Sequence, residues 1–294
     1  FLPRMVFSMS AEMDLFEEVA KFRAARRTWA RFSKEQLGAE DSRSHRLKIS
    51  AKTSGSSLTA QQPINNVVRT TVEALAAVLG GVQVIEPCGY DEAFTIPSEE
   101  AAAVALHLQH ILHHEARLAN TVDPLGGSYF VEQLTNQIEE EAWDILRKIE
   151  DQGGIVSAIE KGWLREEVER EAVQRQREID EGRRVVVGVN DYVLSKEEEI
   201  PLEVHKDRRL EGFSREQEDR IRRFKKRRNL GELRKTLERL DEQARQGEGE
   251  NLVPPVLEAL QKEATMGEIL GIIREAYGLH YDPFGQIESP LGRV

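Results

Sequence analysis

Residues 46–86, RLKISAKTSGSSLTAQQPINNVVRTTVEALAAVLGGVQVIE, decide the fold. Leu47, Ile49 and Ala51 alternate with polar positions, the two-residue period of a strand over 46–53. After a Ser/Gly loop, residues 65–79 are strongly apolar at helical spacing and stop at Gly80 and Gly81, as a C-terminal glycine stop should. Val82 and the residues to Ile85 then predict a third strand. A strand, a helix and a strand in that order make a parallel crossover.

Outward from this unit the pattern repeats. Residues 4–10, rich in Met, Val and Phe, predict an earlier strand. Leu15, Phe16, Val19, Phe22 and Arg26 follow with i, i+3, i+4, i+7 spacing, and good helix formers fill the run between them. Pro97, Ser98, Glu99 and Glu100 open a further helix with proline and acids near its positive end. Three strand-then-helix units in a row predict a parallel α/β sheet or barrel. In such a barrel the carboxyl ends of the strands hold the chemistry, which here means Ser8 and Ser10, residues 50–53 and residues 86–92.

From about Asp123 the character changes to long, charge-laced helices. Residues 183–194 (RRVVVGVNDYVL) are the only later strand-like run. Residues 213–244 read as one long charged helix whose Leu230, Leu233, Leu237 and Leu240 form a stripe suited to packing on the barrel or on another subunit. The domain expectation is therefore 1–122 for the strand-helix units and 123–294 for a mainly helical extension.

Composition narrows the function. The 294 residues include one cysteine, Cys88, so neither a disulfide framework nor a CxxC metal site is available. With 52 acidic against 41 basic residues the net charge is -11, which argues against nucleic acid as a partner. No run approaches the roughly 18 apolar residues of a membrane span, so no membrane association is expected. The chain opens on Phe1 with neither the charged region nor the cleavage site of a signal peptide. A cytoplasmic piece of a longer chain is the expectation.

Several side chains invite chemistry. His107, His110, His113 and His114 share one helix, with His110 and His114 at i, i+4, but Glu115 falls after both rather than between them as in a zinc helix. The reading there is a polar helix face, with no metal. The basic run 222–228 is flanked by Glu216, Glu218, Asp219 and Glu232 and reads as a solvated face. Cys88 has no histidine near it in sequence to make its thiolate. Lys52, at a strand mouth, is suited either to a structural ion pair, Glu92 included, or to a phosphate or carboxylate ligand.

Five stretches in order, 17–32 (EEVAKFRAARRTWARF), 52–83 (KTSGSSLTAQQPINNVVRTTVEALAAVLGGVQ), 90–102 (YDEAFTIPSEEAA), 121–135 (TVDPLGGSYFVEQLT) and 183–192 (RRVVVGVNDY), closely resemble the large subunit of the coenzyme-B12-dependent acyl-CoA mutases, the methylmalonyl-CoA and isobutyryl-CoA mutase family. The resemblance implies the C-terminal part of a (β/α)8 TIM barrel followed by a mostly helical extension. The activity implied is a radical carbon-skeleton isomerisation of a short or branched acyl-CoA, with adenosylcobalamin as cofactor. Arg4 matches the arginine of the family's Arg-x-Ser motif that contacts the CoA substrate, and Val6 stands where that motif has serine. Lys48 replaces an arginine on the substrate side, Ser50 a histidine and Lys52 a glutamine. Gly55, Glu92 and Thr95 match positions that approach the cobalamin.

Residues 86–89, Glu-Pro-Cys-Gly, replace the family's usual His-Thr-Asn-Ser. These departures gather at the strand mouths and suggest an acyl group other than methylmalonyl; the alternative is a non-catalytic paralogue serving in assembly. The family's catalytic residues are expected upstream of Phe1. The sequence contains no Asp-x-His-x-x-Gly, the motif whose histidine ligates cobalt. The resemblance therefore implies a small cobalamin-binding subunit as partner, in an oligomer.

Overall fold

Alternation along the first 53 residues produces strands with one apolar and one polar face. In the computed structural model, which describes residues 1–195, 208–247 and 249–292, β1 (Phe7–Ala11), β2 (Ile49–Thr53) and β3 (Val84–Glu86) form a parallel sheet in that order. α1 (Leu15–Glu35), α2 (Asn65–Leu79) and α3 (Glu99–His110) follow the three strands in turn. Phe7, Met9, Ala11, Ile49, Ala51 and Ile85 pack with Phe22, Trp29, Leu47 and Ala77 into one core. Burying side chains of this kind, at about 1.5–3 kcal/mol for each large one, is what holds helices on that face of the sheet.

The strand boundaries differ from expectation. Pro3 starts a single 3-10 turn, Leu2–Arg4, so the first ladder begins only at Phe7, whose N–H donates to the Lys48 carbonyl. Another such turn, Ser42–His45, delays β2 to Ile49. The Gln83 side chain accepts from the Ile49 N–H, and β3 runs from Val84 to Glu86. Arg4, Val6 and Lys48 therefore precede the strands rather than lie in them.

The chain divides into two compact units, Phe1–His205 and Lys206–Val294. In the first, α4 (Tyr129–Asp151) lies along α1, fixed by Arg23 to Asp123 and Glu132 and by Arg27 and Arg31 to the buried Glu139. α5 (Ile155–Glu160) and α6 (Trp163–Asp180) follow. Residues 183–192 are a clamped turn with one bridge, Val187 to Asp191, and no strand. Arg69 donates to the Val187 carbonyl at 2.7 Å and Gln62 to that of Tyr192 at 2.8 Å, so this segment is tied to α2 and to the loop before it.

In the second unit the expected single helix over 213–244 is two. α7 (Arg208–Arg227) ends, and Asn229 caps α8 (Leu230–Ala244) by accepting from the Glu232 N–H. The leucine stripe is covered within its own unit. Leu233, Leu237 and Leu240 pack against Ala259, Ile269 and Ile272, which come from α9 (Val253–Gln261) and α10 (Met266–Ala276), while Leu230 is exposed. No helix among the described residues is long and apolar enough to cross a membrane.

Candidate functional site

One face of the sheet carries α1 and α2; the other carries none of the three strands' large apolar core residues. On this open face the register aligns Ser10, Lys52 and Glu86 in one row across the strands, and Ser8, Ser50 and Val84 in the row before it. Lys52 and Glu86 form an ion pair with 3.6 Å between Nζ and the carboxylate. The neighbouring Glu92 does most to raise the Lys52 ammonium pKa, with Cys88 and Glu86 adding to it, so Lys52 is charged at neutral pH. Of the two readings open for Lys52, the structural ion pair is present, and its direct partner is Glu86 on the adjacent strand.

The loops leaving β2 and β3 are locked together beneath this row. Cys88 donates its N–H to Thr53 Oγ1 at 2.8 Å and its thiol to the Thr53 carbonyl at 3.1 Å. Burial pushes the Cys88 thiol up to about 11, so it is a neutral packing group rather than a nucleophile. Glu92 accepts from the Gly89 N–H at 2.9 Å, and Asp91 accepts from the Ser98 N–H that begins α3. The second Asp91 oxygen is buried with no hydrogen-bond partner, and a Cβ on Gly89 would stand 3.0 Å from it. Gly55 opens the short turn Gly55–Ser57, with open space where a Cβ would point.

Glu73 on α2 is a residue that reading the motifs missed. It is fully buried, accepts from the Ser57 hydroxyl at 2.5 Å and the Ser54 N–H at 3.1 Å, and so holds the turn that presents Gly55. The legible signal was a lone acid inside the apolar run 72–79. Burial, with smaller contributions from Glu12 and Glu18, pushes its carboxyl up to about 7 despite those two hydrogen bonds. The folded state therefore holds this proton more tightly than the unfolded chain. Stability is expected to fall as pH rises from about 4.5 to 7, with a slope approaching about 1.4 kcal/mol per pH unit. Glu73→Gln should flatten that slope in denaturant titrations at a series of pH values; an unchanged slope would remove Glu73 as its source.

The histidines lie exposed on α3 and on the π-helical turn Ile111–Glu115, with the His110 and His114 rings stacked at 6.0 Å. Among the described residues no group of three or more His, Cys, Asp or Glu is gathered to hold a metal ion. The basic run is ion-paired, Arg222 with Glu218 and Asp219, Arg227 with Glu263 and Arg228 with Glu268.

A three-stranded parallel sheet with helices on one face and a polar, charged row at its strand ends defines an α/β protein. Residues 1–279 match the methylmalonyl-CoA mutase family over nearly the whole chain, and the chain belongs to that family. It is 39% identical over 281 residues to the 2-hydroxyisobutanoyl-CoA mutase large subunit of Aquincola tertiaricarbonis, covering 95% of this chain and 49% of that protein. It is likewise 39% identical to the methylmalonyl-CoA mutase of Rhizobium meliloti (95% of this chain, 38% of the relative) and to that of Escherichia coli K12 (96% and 39%). The chain thus spans half or less of the length of these relatives.

Proposed function

We propose that this chain is the C-terminal part of the large subunit of an adenosylcobalamin-dependent acyl-CoA mutase, with residues 1–122 as three β/α units of an eight-stranded barrel and 123–294 as its helical extension. The observation that carries this reading is the open sheet face. Closing a barrel around it turns Ser8, Ser10, Ser50, Lys52, Val84 and Glu86 inward, where substrate is held. Arg4 and Lys48 lie toward the opposite ends of the strands and are placed to meet the CoA portion; Val6 is beside them.

Gly55, Glu92 and Thr95 fit an approach to a broad flat cofactor. Gly55 leaves open space at the strand mouth, Glu92 is anchored to Gly89, and Thr95 N–H bonds to the Asp91 carbonyl in the same loop. When bound, adenosylcobalamin supplies the radical that begins the isomerisation. The chain's own residues bind and orient the thioester and exclude water. A small cobalamin-binding subunit would complete the assembly, an oligomer in the cytoplasm.

The test is to assemble the full large subunit with its small subunit and adenosylcobalamin and offer methylmalonyl-, ethylmalonyl-, isobutyryl- and 2-hydroxyisobutyryl-CoA. Conversion of one of them to an isomer of equal mass, with a radical signal by electron paramagnetic resonance, is the expected result. Neither product nor radical with any of the four would favour the non-catalytic assembly role.

A further inference from the structure

We infer that the strand mouth selects an acyl-CoA whose acyl branch carries a neutral hydroxyl and turns away one that carries a second carboxylate. This deepens the mutase reading and rests on it. The first observation is charge. Lys52 brings one positive charge to the mouth, while Glu86, 3.6 Å away, and Glu92 bring two negative ones, and the buried Cys88 thiol is neutral. These four groups, as this chain's contribution to the mouth, are therefore net negative by one charge.

Nearby cations do not reverse that sign. Lys48 stands four residues earlier, just before β2, about 13 Å away at the usual extended rise, and donates to the Pro3 carbonyl. Arg175 faces Glu12 at 3.4 Å, a pair with no net charge. An arriving carboxylate would meet a cation already partnered by two acids.

A hydroxyl meets a different surface. Lys52 can donate to its oxygen and Glu86 can accept its hydrogen, two charge-assisted bonds from one adjacent pair. The hydroxyls of Ser8, Ser10 and Ser50 line the same face beside that pair, and Val84, more than half exposed, offers apolar contact to the carbon skeleton. The row thus pairs hydrogen-bonding groups with apolar ones and holds no cation in excess.

The test uses the assembled large and small subunits without cofactor and measures binding of 2-hydroxyisobutyryl-, isobutyryl- and methylmalonyl-CoA by calorimetry. The hydroxyacyl thioester is expected to bind about tenfold or more tighter than methylmalonyl-CoA. Glu86→Gln should bring methylmalonyl-CoA up by about tenfold while leaving isobutyryl-CoA within about twofold. Lys52→Gln should weaken hydroxyacyl binding about tenfold. Methylmalonyl-CoA binding as well as the hydroxyacyl thioester, or both variants shifting all three thioesters equally, overturns the inference and leaves the mutase reading standing. Failure of the wild type to bind any of the three overturns both.

Discussion

Phe22→Ala is expected to destabilise the first unit by about 3–5 kcal/mol, the range for removing a buried aromatic from a core. Phe22 has no exposed surface and lies where α1 meets the sheet and α2, among Ala11, Ile49, Ala51 and Ala77. Its ring also reaches the end of α2, because a Cβ on Gly80 would stand 2.7 Å from its Cδ2. The same atom that fills the core thus requires glycine where α2 stops. All three tryptophans, Trp29, Trp143 and Trp163, belong to this unit, so the fluorescence transition in urea reports it. A loss under about 1 kcal/mol would mean the site collapses around the missing ring. Gly80→Ala should cost about 1–3 kcal/mol alone and much less in the Phe22→Ala background, a coupling that a double-mutant cycle measures.

That coupling shows why some features were legible in the sequence and others were not. The Gly80-Gly81 stop could be read from composition, since a helix end with Gly81 at φ +74° favours the one residue without a Cβ. That Phe22 also forbids a side chain at Gly80 is a tertiary fact between residues far apart in the chain. The three parallel strands and the apolar face of Leu47, Ile49 and Ala51, which leaves Ser50 and Lys52 on the other, followed from strand-helix succession and two-residue alternation. Strand starts did not, because 3-10 turns at Leu2–Arg4 and Ser42–His45 trimmed both ladders. Glu86 was visible at its strand end, but its pairing with Lys52 depends on a register that only the sheet fixes. The long helix over 213–244 was misread because its charge pattern continues through Arg228 and Asn229, where the backbone stops to cap α8.

Arg228→Ala is expected to cost the second unit about 3–5 kcal/mol at pH 7, because it strands a buried carboxylate. Arg228 and Glu268 are both almost wholly buried, and the guanidinium donates to the two carboxylate oxygens at 2.6 and 2.7 Å. The Thr265 N–H and hydroxyl each donate to Glu268 at 2.8 Å, closing a capping box at the start of α10. Burial alone would raise the Glu268 carboxyl; the bonds from Arg228 and Thr265 outweigh it and hold the group at about 2. Its folded-state pKa thus lies below the ordinary carboxylate value near 4.5. The stability it contributes is present above about pH 4.5 and is lost as pH falls toward 2.

The sign separates a lost charge pair from lost packing. Without Arg228 the carboxylate keeps only the Thr265 bonds and Lys225 at 3.9 Å, and burial then shifts it toward its protonated form. The Arg228→Ala deficit should therefore be largest at pH 7 and shrink at pH 4, read by hydrogen exchange of the α8 and α10 amides. An equal deficit at both values would assign the cost to the cavity left by the arginine. Replacing the pair together, Arg228→Met with Glu268→Leu, should recover a substantial part of the loss, since no buried charge is then left without its partner. It would not recover the Thr265 N–H, which loses its acceptor along with the capping box. The residual deficit of the double variant measures what the Glu268 half of the capping box contributes to α10, since the Thr265 hydroxyl still accepts from the backbone N–H of residue 268.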